Sequence, residues 1–418
     1  MRVDDCIHFC PPARLVIEVG SRRKLPDLIR RQGFRNGLLV TDEFFTARTP
    51  WVHEYVEEAR RQGITTRVYA GGQPDPTTVL CDEATAQILG EQGSIPIDHV
   101  IALGGGSNID LAKALCVTLP KGLSIRTFAA GIGVDAEVLP LIAMPTTAGT
   151  GSEATPGTIL FDPESGIKTA VMDNRLRPCI ALIDPELTYT CPPKVTAEAG
   201  IDALTHAIES YLTQDSSQFD RGSSSDPGYS GRSSLTMLFA KESIRLCSAY
   251  LLRSYRNGQD VEARVGMCYA SIYAALSYGS AGLNAVHGIA YGVAAKTHQS
   301  HGATNAVVLP YVIDELLEQR HSELLDVARL FGIEEGDEKL AVQLLPAKLK
   351  ALVGALDIPT DLHAFGIPEY ELPSLLAESL GVTRLAKAFP VADVAASYER
   401  IIQRAWAGTL HAHRLGAS

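Results

Sequence analysis

"HVIALGGGSNIDLAKALCV", His99–Val117, decides the fold. Its opening residues form a short apolar run of strand character, three glycines follow, and "NIDLAKALCV" carries its apolar residues at helical spacing. Other apolar runs resemble its opening. "GLLVTDEFF" (Gly37–Phe45) ends in an acid, "LPLIAMPTTAGTGSEAT" (Leu139–Thr155) feeds a Gly/Thr loop, and "CIALIDPEL" (Cys179–Leu187) ends in Asp-Pro. Buried apolar strands alternating with helices imply a parallel sheet covered on both faces.

From about Pro192 the pattern changes. "KVTAEAGIDALTHAIESYL", "SLTMLFAKESIRLCSAYLLRSY", "VEARVGMCYASIYAALSYGSAGLNAVHGIAYGVAAKTH", "DELLEQRHSELLDVARLFG" and "EKLAVQLLPAKLKALVGAL" are all helical in period. The expected architecture is an α/β domain with a parallel sheet over residues 1–191 and an all-α domain over 192–418, with a cleft where they meet. A length of 418 residues fits two domains. The polar, Ser- and Gly-rich segment Gln214–Ser234 interrupts two helices and is predicted to be an exposed loop.

Composition narrows the partners. Apolar residues make up 46% of the chain and charged ones 20%, ordinary for a globular protein. A net charge of −11 argues against a general nucleic-acid binder, whose affinity comes from Lys and Arg neutralising phosphates. No stretch approaches the eighteen or so apolar residues of a membrane span, and the N-terminus lacks the apolar run of a signal peptide, so a cytoplasmic protein is expected. The eight cysteines are scattered. Only Cys6 and Cys10 lie close together, without redox or zinc spacing, so reduced thiols are the economical reading.

"GGGSNID" (Gly104–Asp110) lets a phosphate approach backbone without Cβ obstruction, and the free N–H groups of the following helix make an anion site. Ser107 is expected to cap that helix and Asp110 to bond back to the cap. The plainer alternative is a tight strand-to-helix turn. GxGxxG is absent, and the candidate ribose acid Asp42 precedes the glycines instead of following them. Asp42 either N-caps the next helix or faces a ribose, where its charge would disfavour NADP against NAD. "PTTAGTGSEAT" supplies a second loop of hydroxyls and N–H groups.

The second chemical signal is "GIDALTHAIESYLT" (Gly200–Thr213), an apolar helical run with Asp202 and His206 one turn apart on one face. An unpaired buried carboxylate is costly, so Asp202 calls for a partner. "GLNAVHGIAYGVAAKTHQSHGATNAVVLPYV" (Gly282–Val312) offers His287, His298 and His301. One carboxylate and three imidazoles suit a divalent transition metal, Fe(II) or Zn(II), with a position left for water or substrate. His287 and His301 lie roughly 21 Å apart along a straight helix, so the helix must break near "HQSHG". His298 is the rival ligand.

Four ordered motifs, "GGGSNIDLAKA", "MPTTAGTGSEAT", "GIDALTHAIESYL" and "VHGIAYGVAAKTHQSHGATNAVVLPYV", together resemble the iron-containing (group III) alcohol dehydrogenases, from about Leu15 to Arg404. The resemblance implies a dehydroquinate synthase-like architecture with a nucleotide-binding α/β domain and a helical domain. It assigns the metal to Asp202, His206, His287 and His301, and the pyrophosphate to Gly104, Gly105, Gly106 and Ser107. It brings Thr146, Thr147, Gly149 and Thr150 toward the cofactor, matches Asp42 to an acid that disfavours NADP, and sets Lys168 near the nicotinamide. It also implies a homodimer or larger assembly. "QPDPT" (Gln73–Thr77) replaces a more common Pro-Asn-Pro, and Tyr291 stands where many members have a second histidine. Tyr291 can still relay a proton. Tyr291 and the Gln214–Ser234 insertion are closer to the hydroxyacid–oxoacid transhydrogenase branch.

The activity implied is reversible hydride transfer between NAD and an alcohol or hydroxy acid, with the ion polarising the carbonyl oxygen. Its rivals are a transhydrogenase that retains NAD, a dehydroquinate synthase-like lyase using NAD transiently, a metal-free reductase, and a non-catalytic scaffold.

Overall fold

His99–Gly104 and Gly106–Thr118 are indeed strand and helix in the computed structural model, which describes residues 5–91, 95–129, 138–222 and 224–411. The chain divides into two compact units, Cys10–Thr190 and the remainder. The first holds strands β1 (Arg14–Ile17), β2 (Asn36–Val40), β3 (Thr65–Tyr69), β4 (His99–Gly104), β5 (Leu141–Pro145), β6 (Gly157–Asp162), β7 (Ile167–Met172) and β8 (Ile180–Ile183). Its helices are α1 (Leu25–Arg31), α2 (Glu43–Arg48), α3 (Trp51–Arg61), α4 (Thr78–Gly90), α5 (Gly106–Thr118) and α6 (Ile125–Ala129).

Six strands form one sheet in the order β1-β8-β5-β4-β2-β3, every pair parallel, and β6 with β7 makes an antiparallel hairpin. Side chains alternate between two cores. Val100 and Ala102 of β4, with Leu141 and Ala143 of β5, pack with Ile109, Ala112 and Leu115 of α5. Ile101, Leu103, Ile142 and Met144 point the other way, into a core with Leu25, Ile29, Val52 and Tyr55 of α1 and α3. Burial on both faces is why these strands read as unbroken apolar runs. From β2 the chain runs outward to β3 and then returns to β4 on the other side of β2. Such a reversal leaves a crevice at the carboxyl ends of β2 and β4, the place where open parallel sheets take ligands.

The second unit is helical: α7 (Pro193–Leu212), α8 (Ser234–Arg256), α9 (Val261–Ala281), α10 (Ala285–Thr297), α11 (His301–Glu315), α12 (His321–Leu330), α13 (Glu338–Ala355), α14 (Leu372–Gly381), α15 (Thr383–Ala386) and α16 (Val394–Ala407). Helix α7 is buried without interruption from Gly200 to Leu212 and packs against α8, α9 and α11. Helix α10 packs on α11 and α14. A helix apolar all round is stable only when surrounded in this way.

Three expectations change. The long run from Val261 is two helices, because Gly282–Asn284 breaks it and the Asn284 side chain caps α10 by accepting from Ala285 N at 2.6 Å. "DELLEQRHSELLDVARLFG" is likewise split, α11 ending at Glu315 and α12 starting at His321. Among its described residues, Gln214–Ser234 is exposed chiefly in its middle. Backbone bonds Ser216 N to Arg232 O and Arg232 N to Gln214 O, both 2.9 Å, clip its ends together. Arg232, 2% exposed, is held by Asp215, Glu323 and the Tyr211 carbonyl. Asp5 and Cys6 bond to Ser216. A serine- and glycine-rich composition marks turns, but these polar side chains are used inward. All eight cysteines are free thiols, and no helix among the described residues is long and apolar enough to cross a membrane.

Candidate active site

The crevice at the sheet reversal carries the glycine loop. Helix α5 starts at Gly106 with Gly105 as N-cap and no side-chain cap, leaving its first amides for an anion. Ser107 and Asp110 therefore do not form the predicted capping pair. Ser107 Oγ accepts from Asp75 N at 3.3 Å, and the half-buried Asp110 accepts from Ile159 N of β6 at 3.0 Å. The tertiary partner outcompetes the local one. Thr146 N donates to Gly104 O at 3.0 Å, which brings the Thr146–Thr150 loop onto the glycines. A Cβ on Gly106 would stand 2.7 Å from Thr150 Cγ2, so that approach requires glycine. Thr147 and Gly149 lie on the same turn, Thr147 half-buried and Gly149 buried.

Asp42 follows β2 and caps α2, its Oδ1 accepting from Phe44 N at 3.0 Å and Phe45 N at 3.3 Å. Its Oδ2 accepts from Asn108 Nδ2 at 2.7 Å, and that amide also donates to Leu103 O at 3.2 Å. Asn108 thus locks the ends of β2 and β4 together, a role that no local pattern marks. Lys168 lies on β7 and pairs with Asp75 at 2.7 Å. Behind the threonine loop, Lys113 is wholly buried and donates to Thr155 O, Thr155 Oγ1 and Gly157 O at 2.9, 3.2 and 2.7 Å. Burial lowers it to about 8 and pushes buried Glu153 up to about 7.

In the helical unit four side chains converge. Asp202 and His206 come from α7, His287 from the first turn of α10, and His301 from the first residue of α11. One ligand atom of each lies within 4.8 Å of all the others. The Nε2 atoms of His206, His287 and His301 stand 3.7, 3.8 and 3.9 Å from Asp202 Oδ1. These separations are too long for hydrogen bonds and suit donors sharing one ion at about 2.1 Å from each. The helix break expected near "HQSHG" falls at His298, which is left-handed at φ +53°, exposed, and outside the group of four. Gly302 lets α11 reach α7, since a Cβ there would lie 2.0 Å from Glu198 O.

Burial alone would raise the Asp202 carboxyl, but His206, His301, His287 and the Asn305 amide outweigh it and hold it low. Burial lowers His287 to about 4, so its imidazole is neutral. Glu209, one turn beyond His206, accepts from His287 Nδ1 and from the backbone N–H groups of Asn284 (3.1 Å), Val286 (2.9 Å) and His287 (3.4 Å). Donation from Nδ1 fixes the tautomer that turns the Nε2 lone pair toward Asp202. Asn305 Nδ2 reaches Asp202 Oδ1 at 2.8 Å, His287 Nε2 at 3.1 Å and His301 Nε2 at 3.2 Å. His206 stacks on Tyr278 at 4.1 Å. Tyr291 stacks on His301 at 5.7 Å and stands edge-on to His287 at 6.5 Å. Of the two candidate catalytic residues, only Tyr291 belongs to the unit in which the four side chains converge. Glu209, a third polar residue on the Asp202–His206 helix, and Asn305, the i+4 neighbour of His301, are not among the site residues the sequence predicts, although those spacings are the signal that marks them.

A parallel-sheet nucleotide crevice in one unit and a buried carboxylate–imidazole quartet in the other define a metal- and dinucleotide-using oxidoreductase of the dehydroquinate synthase-like fold. The chain belongs to the iron-containing alcohol dehydrogenase family: residues 12–185 match Iron-containing alcohol dehydrogenase, and residues 229–402 match Fe-containing alcohol dehydrogenase family, C-terminal. It is 32% identical over 396 residues to Long-chain-alcohol dehydrogenase 1 of Geobacillus thermodenitrificans (strain NG80-2), covering 94% of each chain. It is 31% identical to the mitochondrial Hydroxyacid-oxoacid transhydrogenase of Bos taurus, covering 87% of this chain and 82% of the relative. Among solved structures, 1,3-propanediol oxidoreductase superposes with a TM-score of 0.86 at 26% identity, over 96% of this chain and all of that one.

Proposed function

We propose that the protein is a divalent-metal-dependent, NAD-linked oxidoreductase that interconverts an alcohol and its aldehyde or ketone. The observation that carries this reading is the convergence of Asp202, His206, His287 and His301. A bound Fe(II) or Zn(II) ion supplies Lewis acidity and the nicotinamide supplies the hydride acceptor.

The chain's own groups do the rest. Asp202 brings the negative charge, and His206, His287 and His301 would bring nitrogen lone pairs to the ion. Glu209 holds the ring of His287, and Gly302 sets the depth at which His301 stands. The Tyr291 hydroxyl, beside His301, relays the alcohol proton to solvent. In the crevice, the amides at the start of α5 receive the pyrophosphate, with Thr146, Thr147 and Thr150 offering hydroxyls. Asp42 meets the adenosine ribose, where its charge favours NAD over NADP. Lys168 works at the cofactor. Reduced thiols suit a cytoplasmic site, and we take the working assembly to be a homodimer.

The test is NADH absorbance with a panel of alcohols and hydroxy acids, on protein loaded separately with Fe(II) and Zn(II). Wild type should reduce NAD with at least one metal, while Asp202→Ala should neither retain metal nor turn over. Full turnover by metal-stripped Asp202→Ala would overturn the reading. A second reading, hydroxyacid–oxoacid transhydrogenase with NAD retained, is favoured by the Bos taurus relative. Hydride exchange between an acid pair without added coenzyme would select it.

A further inference from the structure

The quartet is not evenly enclosed. The side chains of Asp202, His206 and His287 are 2%, 4% and 1% exposed, whereas His301 keeps 31%. A molecule coming to the quartet therefore meets it on the His301 side. Tyr291 lies against that ring, and Arg384 of α15 lies beyond it, with its guanidinium carbon 6.0 Å from the centre of the Tyr291 ring.

Arg384 differs from the other enclosed arginines of this unit. Arg232 is filled by Asp215, Glu323 and the Tyr211 carbonyl. Arg264 is filled by Thr196 and the carbonyls of Cys191 and Gly258. Arg320 reaches Asp215 and two carbonyls, and Arg404 pairs with Asp314 and Glu315. Among the described residues Arg384 pairs with no carboxylate, and its hydrogen bond is a long one, 3.5 Å, to the Tyr291 hydroxyl. A guanidinium carries five donors in a planar fork shaped for an oxyanion, and a half-enclosed fork with one weak acceptor leaves most of them open.

We propose that Arg384 receives a carboxylate on the substrate, so that the preferred substrate is a short hydroxy acid with its hydroxyl at the quartet and its acid group on the Arg384 fork. This rests on the alcohol-oxidising reading above and names the substrate class of the same site. Tyr291 lies between the two ends and its ring bounds the path from one to the other. Arg384 also stacks its charge over that ring, which orients the fork without using its donors.

The experiment compares 3-hydroxypropanoate, 4-hydroxybutanoate and 5-hydroxypentanoate with their uncharged amides as substrates of the metal-loaded wild type with NAD. At least one acid should exceed its amide in kcat/KM by about 10- to 100-fold, chiefly through KM, the worth of a charge-assisted pair. In Arg384→Met that ratio should fall to near one, with Arg384→Lys between the two. Calorimetric titration with succinate, which has no hydroxyl to oxidise, reads the same receptor without turnover. Binding should weaken at least about tenfold in Arg384→Met. Equal use of acids and amides by an active wild type overturns the Arg384 proposal and leaves the alcohol-oxidising reading standing. Succinate binding that depends on Arg384 in a protein inert toward every alcohol and acid supports the receptor and overturns that reading instead. Succinate that fails to bind wild type, or binds Arg384→Met equally, overturns the receptor.

Discussion

Gly302→Ala tests the geometry on which the proposed metal site depends. An ideal Cβ at Gly302 would lie 2.0 Å from the Glu198 carbonyl oxygen and 2.6 Å from its carbon, where an ordinary contact begins at 3.4 Å. Both neighbours are backbone of α7, so no side chain can rotate away, and the start of α11 must retreat by about 1.4 Å. The adjacent residue is His301, and metal–ligand distances tolerate only about 0.2 Å. The substitution should thus cost the fourth ligand as well as about 1–3 kcal/mol of overpacking strain. With three ligands left, apparent metal affinity should fall at least about tenfold. The assay is competition with a chelator, read by metal content, beside urea unfolding of the metal-free protein, which separates the strain from the lost ligand. Gly302→Ala protein with wild-type metal retention and wild-type stability would refute the claim that this contact sets the position of His301.

Three further outcomes are expected. Glu209→Gln keeps the shape but cannot both accept from His287 Nδ1 and satisfy the neighbouring amides, so metal affinity should drop about 10–100-fold with circular dichroism unchanged. Asp42→Ser keeps a capping oxygen for α2 while removing the charge, so the NADP-to-NAD ratio of kcat/KM should rise at least about tenfold, and an unchanged ratio would free Asp42 of any coenzyme role. Burial holds Glu153 at about 7, above the ordinary 4.5, so the folded state binds the extra proton and stability falls as pH climbs through that interval. Glu153→Gln removes this dependence. Between pH 4.5 and pH 7.5 wild type should lose up to about 3 kcal/mol more than the variant in urea unfolding.

Much of the α/β half was readable because its signals are local. A strand, three glycines and a helix follow one another within "HVIALGGGSNIDLAKALCV", and the doubly covered strands announce themselves by unbroken apolar runs. The edge strand β3, "TTRVY", has no such run; among the described residues it pairs with β2 alone, and its side chains stay partly exposed. The helix cap failed for a related reason. Ser107 and Asp110 have the right local spacing, but Asp75 and Ile159, far away in the chain, bind them instead. The same holds for Gln214–Ser234, whose polar composition conceals Arg232 inside the helical unit.

The pairing of Asp202 with His206 on one helical face and the necessity of a break before His301 follow from the sequence alone, since periodicity and rise per residue are properties of consecutive residues. Which histidine joins that face, what holds its ring and what waits beside it were decided by the tertiary structure. His298 and His301 are three residues apart and chemically identical, yet His301 joins Asp202, His206 and His287, at the start of a helix whose Gly302 packs closely on Glu198, while His298 is left exposed. Arg384 stands 93 residues from Tyr291 in the chain, a separation across which no local pattern carries information.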